Sequence, residues 1–147
     1  MTNWTCKKFA ELTTDELYAI LRLRSEVFVV EQNCVFLDMD NKDQKSHHLM
    51  GWQDGELLGY SRLLRPGISY VESSIGRVVT SPAARRRGAG RDLLNKSIAT
   101  LYTLYGKQPI RIGAQCYLTK FYESFGFVPK GEIYLEDGIQ HVEMLLP

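Results

Sequence analysis

Apolar positions change their period several times along the chain, and each change marks an element. Leu17, Ile20, Leu21 and Arg24 recur at helical spacing behind Thr13-Thr14-Asp15-Glu16, which has the form of a capping box. The spacing predicts a helix to about Val27 or Val30, with its end left open because Val27-Phe28-Val29-Val30 is largely β-branched. Ahead of it, Trp4 to Lys8 reads as a short strand. Behind it, Asn33 to Lys45 is polar and acidic and reads as a loop. His47 to Gln53 and Glu56 to Leu64, joined by Asp54-Gly55, predict a hairpin. Ser74-Ile75-Gly76-Arg77-Val78-Val79-Thr80 then reads as a strand stopped by Ser81-Pro82. Leu94, Ile98, Leu101 and Tyr105 carry a helix from about Gly88 to Tyr105. Ile110 to Ala114 is another strand, and Gln115 to Phe127 a short amphipathic helix closed by Gly126. Strand, loop, helix and strand in that order form a β-α-β unit, which leaves the loop and helix start at the open end of a parallel pair.

A chain of 147 residues suits one domain with a single packed core, and residues 1–147 contain no repeat or linker. Lys and Arg number 18 against 17 Asp and Glu, a net charge of +1, which argues against a generally basic nucleic-acid binder. Cys6, Cys34 and Cys116 are odd in number and lack CxxC spacing, so neither a disulfide framework nor a zinc site is expected. His47 and His48, adjacent on a strand, point to opposite faces and do not grip one ion. No leader and no apolar run of membrane length is read, so the expected setting is cytoplasmic, without membrane contact.

Chemistry concentrates at Arg85-Arg86-Arg87-Gly88-Ala89-Gly90. Two glycines let the backbone approach a ligand, the following helix offers unpaired N–H groups, and Arg85, Arg86, Arg87 and Arg91 add charge. That combination suits a pyrophosphate. As a bare string it equally describes a solvated helix start, and the arginines keep a nucleic-acid contact in play. GxxxxGK followed by Ser or Thr is absent, and the loop lies too late in the chain for a dinucleotide fingerprint.

RxxGxG after an apolar strand, followed by a strand and the FYxxxGF of Phe121 to Phe127, resembles the GNAT superfamily of acyl-CoA-dependent N-acyltransferases. The likeness covers essentially the whole chain. It is strongest to the ElaA-like branch, through residues 21–34, 47–52, 75–79 and 134–144. It implies an α+β fold: a twisted mixed sheet, flanked by helices, split into a V between strands 75–80 and 110–114. Acetyl-CoA is then the co-substrate and an unidentified amine the acceptor, with no metal and no nucleic acid involved. Pantetheine would lie in the V along Val78, Val79 and Thr80, with the Val78 N–H polarising the thioester carbonyl. Gly88, Ala89, Gly90 and the flanking arginines would hold the pyrophosphate. Gln115 joins this set, and Lys120 and the arginines are weaker candidates for the ribose phosphate.

Tyr122 matches the tyrosine that protonates the departing thiolate in many members, against the alternative of a core tyrosine. The glutamate that several members place on the strand before the cradle as general base falls here, by spacing, on Ser74. Glu72, Glu31 and His48 are the substitutes, alongside a water chain to solvent. Without a base, the fold reads instead as a non-catalytic acyl-CoA-binding sensor or interaction module. Glu31, Asp38, Asp40, Asp43, Glu136 and Asp137 either give the pocket mouth a negative field or are simply solvated, the second being favoured. Edge strands and Val142 to Leu146 either pair in a homodimer or finish the sheet.

Overall fold

The computed structural model describes residues 1–147. Seven strands and three helices alternate: β1 (Asn3–Lys8), α1 (Thr14–Arg24), β2 (His47–Gln53), β3 (Glu56–Leu64), β4 (Ser74–Thr80), α2 (Ala89–Tyr105), β5 (Ile110–Gln115), α3 (Thr119–Glu123), β6 (Val128–Glu136) and β7 (Ile139–Leu146). β1-β2-β3-β4 form one antiparallel sheet and β5-β7-β6 a second. The sheets meet at one parallel bridge, Ser73 with Ile110, where the Arg111 N–H donates to the Ser73 carbonyl at 3.0 Å. Beyond that bridge β4 and β5 no longer pair, which is the expected V.

Local chemistry accounts for the elements. The Thr13 hydroxyl accepts from the Glu16 N–H at 3.1 Å, and the Glu16 carboxylate accepts from the Thr13 N–H at 2.8 Å, closing the capping box. The β-branched run does not stop α1. Ser25–Glu31 continues it with π-helical bonding, a widened turn that carries the chain to Gln32. Asp54 at φ 50° and Gly55 at φ 78° supply the two left-handed positions of a type I′ hairpin turn.

Two cores lie on opposite faces of the first sheet. Leu93, Leu94 and Leu101 of α2 pack with Leu49, Leu63 and Ile75, and with Ile110 and Ile112 of the second sheet. Ile20, Leu23 and Val27 from the first helical segment pack with Met50, Tyr60 and Val79 on the other side. Each such side chain contributes roughly 1.5–3 kcal/mol on leaving water. Helix α2 thus packs against residues of both sheets. β7 pairs on both sides, so Val142 to Leu146 finishes the second sheet and is closed to another subunit.

Candidate active site

Strand β4 carries an irregularity at the centre of the V. Tyr60 pairs with Val79 and Arg62 with Gly76, so Arg77 and Val78 together oppose Ser61 alone. Arg77 sits at φ 50°, in the left-handed region, and makes the bulge. Its side chain reaches toward the α1 side, while Val78 packs with the α2 cluster.

At the far end of β4 the chain winds through a 3-10 segment, Pro82–Arg87, and turns at Gly88, φ 73°. The first main-chain bond of α2 is Asp92 N–H to the Gly88 carbonyl at 3.2 Å, which leaves the N–H groups of Ala89, Gly90 and Arg91 at a 17-residue helix's positive end. The arginines differ from one another. Arg85 pairs with Glu31, with its Nη1 2.8 Å from the carboxylate, and the Arg87 guanidinium donates to the Ala83 carbonyl at 3.0 Å. Arg91 lies 4.6 Å over the Phe125 ring and donates to the Ser124 hydroxyl at 3.1 Å. Arg86 is exposed and makes no side-chain hydrogen bond.

These contacts bring the elements together. Arg91 ties the cradle to the segment bearing Tyr122, and a Cβ placed on Gly90 would lie 3.8 Å from Phe121. Arg85 ties the cradle to the end of the first helical segment. Gln32, one residue on, meets Gln115 of β5 at 3.4 Å. Tyr122 is buried, edge-to-face with Phe121 and Phe127 at 5.3 and 5.8 Å, and its hydroxyl has no protein partner. Burial, reinforced by Tyr117, pushes its pKa up to about 12. Lys120 is exposed on α3.

The three candidate bases occupy different environments. Glu72 precedes β4 and is gripped by Arg111 at 3.0 Å, which holds its carboxyl below the usual range. Glu31 is likewise held low by its hydrogen bonds to Arg85. His48 is fully buried: its Nε2 donates to the Asp43 carbonyl at 2.9 Å and its Nδ1 accepts from the Tyr60 hydroxyl at 2.7 Å. Burial lowers its pKa. His47 faces the other way, to the Tyr105 hydroxyl at 3.0 Å.

The acidic loop is neither a solvated surface nor a mouth field. Asp38 and Asp43 are buried and Asp40 is half-buried. Arg24 donates to Asp38 and Asp43, both at 2.8 Å; Arg62 bonds Asp40 at 2.7 Å and Asp43 at 2.9 Å; Arg77 bonds Asp38 at 2.8 Å. Burial works against the charges of Asp40 and Asp43, but the arginines outweigh it and hold both acids below their ordinary range. The signal in the sequence was arginine at apolar-patterned positions, Arg24 on the buried stripe of α1 and Arg62 in a strand run. Charges there need buried partners.

Composition and spacing did not reveal a second feature. Tyr70 and Tyr134 converge over Gly113 of β5, where a Cβ would lie 3.0 and 2.9 Å from their hydroxyl oxygens. Burial, with Tyr134, Glu143 and Glu136 nearby, pushes Tyr70 up to about 12. These side chains form a polar, carboxylate-lined wall on the face of β5 turned away from α2.

Residues 13–146 match the model of the acetyltransferase (GNAT) domain. The chain is 41% identical to the protein ElaA of Escherichia coli K12 over 146 residues, covering 98% of this chain and 95% of that one. Among solved structures, an acyl-CoA N-acyltransferase from Pseudomonas aeruginosa superposes with TM-score 0.94 at 45% identity, and Escherichia coli ElaA with 0.93 at 40%, each covering 100% of both chains. No helix of the structure is long and apolar enough to cross a membrane.

Proposed function

The chain belongs to the GNAT acetyltransferase family, and from that premise we propose that it moves the acetyl group of acetyl-CoA to a primary amine of a small molecule or protein. The observation that carries the reading is the unpaired gap between β4 and β5, with the cradle of Gly88 to Arg91 at one end and the Tyr122 segment joined to it by Arg91. Pantetheine occupies that gap as an extended chain bonded to Val78 and Thr80 main-chain groups. Val79, facing the α1 core, keeps the strand seated. The pyrophosphate takes the N–H groups of Gly88 to Arg91, with Arg86 free to add charge and Lys120 available to the ribose phosphate.

The amine nitrogen attacks the thioester carbonyl carbon, and the oxyanion that forms accepts from the Val78 N–H. The C–S bond breaks as the tetrahedral species collapses. The Tyr122 hydroxyl gives its proton to the thiolate, and the proton lost by the amine restores it through water. Arg111 and Arg85 already pair with Glu72 and Glu31 and hold them as carboxylates, which makes both weak proton acceptors. His48, with both ring nitrogens engaged, supports the local fold. The amine's proton therefore leaves through water in the open V.

Thiol release from acetyl-CoA across an amine library, with CoA-dependent thermal stabilisation in parallel, tests this reading. Saturable release with at least one amine is expected. Ser74 standing at the usual carboxylate position favours the alternative of a non-catalytic acyl-CoA sensor, for which stabilisation without any release is the signature. Absence of both effects defeats either reading.

A further inference from the structure

Five non-glycine residues have positive φ: Asn33, Asn41, Asp54, Arg77 and Asp137. Four are Asn or Asp outside the strands, the residue types whose short polar side chains tolerate that conformation. Arg77 is neither, and it lies inside a strand. Something other than its own backbone preference holds it there.

The side chain supplies the hold. Arg77 Nε donates to Asp38 Oδ1 at 2.8 Å, and Nη2 donates to the Asp38 carbonyl at 2.8 Å and reaches Asp40 at 3.5 Å. Asp38 does not move freely. Its other carboxylate oxygen accepts from Nε of Arg24, and that side chain is wholly buried beside the α1 core. A rigid path therefore runs from α1 through Arg24 and Asp38 to the bulge.

What the bulge controls is direction. Main-chain N–H groups alternate sides along a strand, so one inserted residue reverses every group beyond it. Without the insertion, Val78 would face the opposite side of β4 and its N–H would be turned with it. We propose that Arg77 is a positioning residue: clamped by Asp38 and Asp40, it holds the bulge that presents the Val78 N–H to the thioester carbonyl. This rests on the proposed acyl transfer, and it assigns the acidic loop to the reaction as a remote brace.

The test compares Arg77→Ala, Arg77→Gly and Asp38→Asn. Alanine loses the clamp but keeps the steric penalty at positive φ, whereas glycine loses the clamp and the penalty together. Arg77→Ala should lower kcat for thiol release by up to the roughly 10²–10³-fold associated with losing an oxyanion donor. Arg77→Gly should regain most of that loss. Asp38→Asn should fall between them, and CoA affinity should fall far less than kcat in all three because the Thr80 contact and residues 88–91 are untouched. Equal activity of Arg77→Ala and the parent overturns the proposal, as does equal impairment of the alanine and glycine variants. A second readout is the Val78 amide resonance in proton–nitrogen spectra, which should move in Arg77→Ala and return in Arg77→Gly. If the parent releases no thiol with any amine, acyl transfer fails, and the Val78 resonance alone still decides whether the clamp exists.

Discussion

Tyr122→Phe separates chemistry from stability, because the hydroxyl it removes has no protein partner to orphan. The ring keeps its edge-to-face contacts with Phe121 and Phe127, so unfolding free energy should change by less than about 1 kcal/mol, the size of one net hydrogen bond. A positioned general acid contributes about 10²–10⁴-fold, equivalent to roughly 3–5 kcal/mol of barrier. Steady-state thiol release at saturating acetyl-CoA should fall by that factor, while CoA affinity by calorimetry holds. Burial shapes the pH profile as well. With the phenol pushed up to about 12, only about one molecule in 10⁴ is tyrosinate at pH 8, so Tyr122 imposes no alkaline fall between pH 7 and 10. Unchanged turnover in the variant would refute the acid assignment. So would a parent profile whose alkaline limb, centred near pH 10, vanished in Tyr122→Phe.

Arg24→Met should destabilise the protein by about 3 kcal/mol, at the low end for a broken buried pair because Asp38 keeps Arg77 and Asp43 keeps Arg62. Thermal scans should show a drop of roughly 6–12 °C, and no drop would contradict a network in which Arg24 is structural. Acid titration of the parent should lose stability below about pH 4: Asp40 and Asp43 stabilise the fold above their unfolded pKa, and that contribution disappears as pH falls through their depressed folded values. His48 adds an earlier loss, beginning as pH drops through about 6.5, because the unfolded imidazole binds a proton that the buried one resists. Urea midpoints between pH 3 and 8 check both, and a flat profile across pH 4–6.5 would contradict the buried neutral histidine. Gly113→Ala should leave CoA affinity intact but raise KM for whichever amine reacts, since the new methyl displaces Tyr70 and Tyr134; an unchanged KM would separate that wall from the acceptor.

Strand and helix positions were legible because their signals are local. The capping box at Thr13, the Asp54-Gly55 turn and the 3.6-residue recurrence from Leu94 to Tyr105 each act over a few residues. The π-helical turn was not, since Val27 to Val30 has strand propensity and only packing of Val27 against Met50, Tyr60 and Val79 overrides it. The turn into α2 was readable from Gly88, which takes the left-handed conformation. The bulge beside it was not: Gly76 is the residue a reader would pick, yet Arg77 takes the left-handed conformation, stabilised by partners some forty residues away. The same distance in sequence hid the role of the acidic loop, whose composition alone matches a solvated turn. Glu31 and Glu72 were visible as carboxylates, but the arginines that occupy them come from other elements.

The single bridge between the two sheets has a consequence for how this chain tolerates change. Below Ser73 and Ile110, the facing edges of β4 and β5 offer main-chain atoms, so whatever lies between them is read largely without regard to side-chain identity. Substitutions that keep the Arg77 bulge and its Asp38 clamp can then accumulate on those strands while the proposed donor stays the same. The wall built from Tyr70, Tyr134 and their carboxylate neighbours enjoys no such insulation, because whatever meets it meets side chains. Changes around Gly113 therefore alter what that wall can hold, whereas the facing edges of β4 and β5 keep their main-chain groups for as long as the bulge is kept.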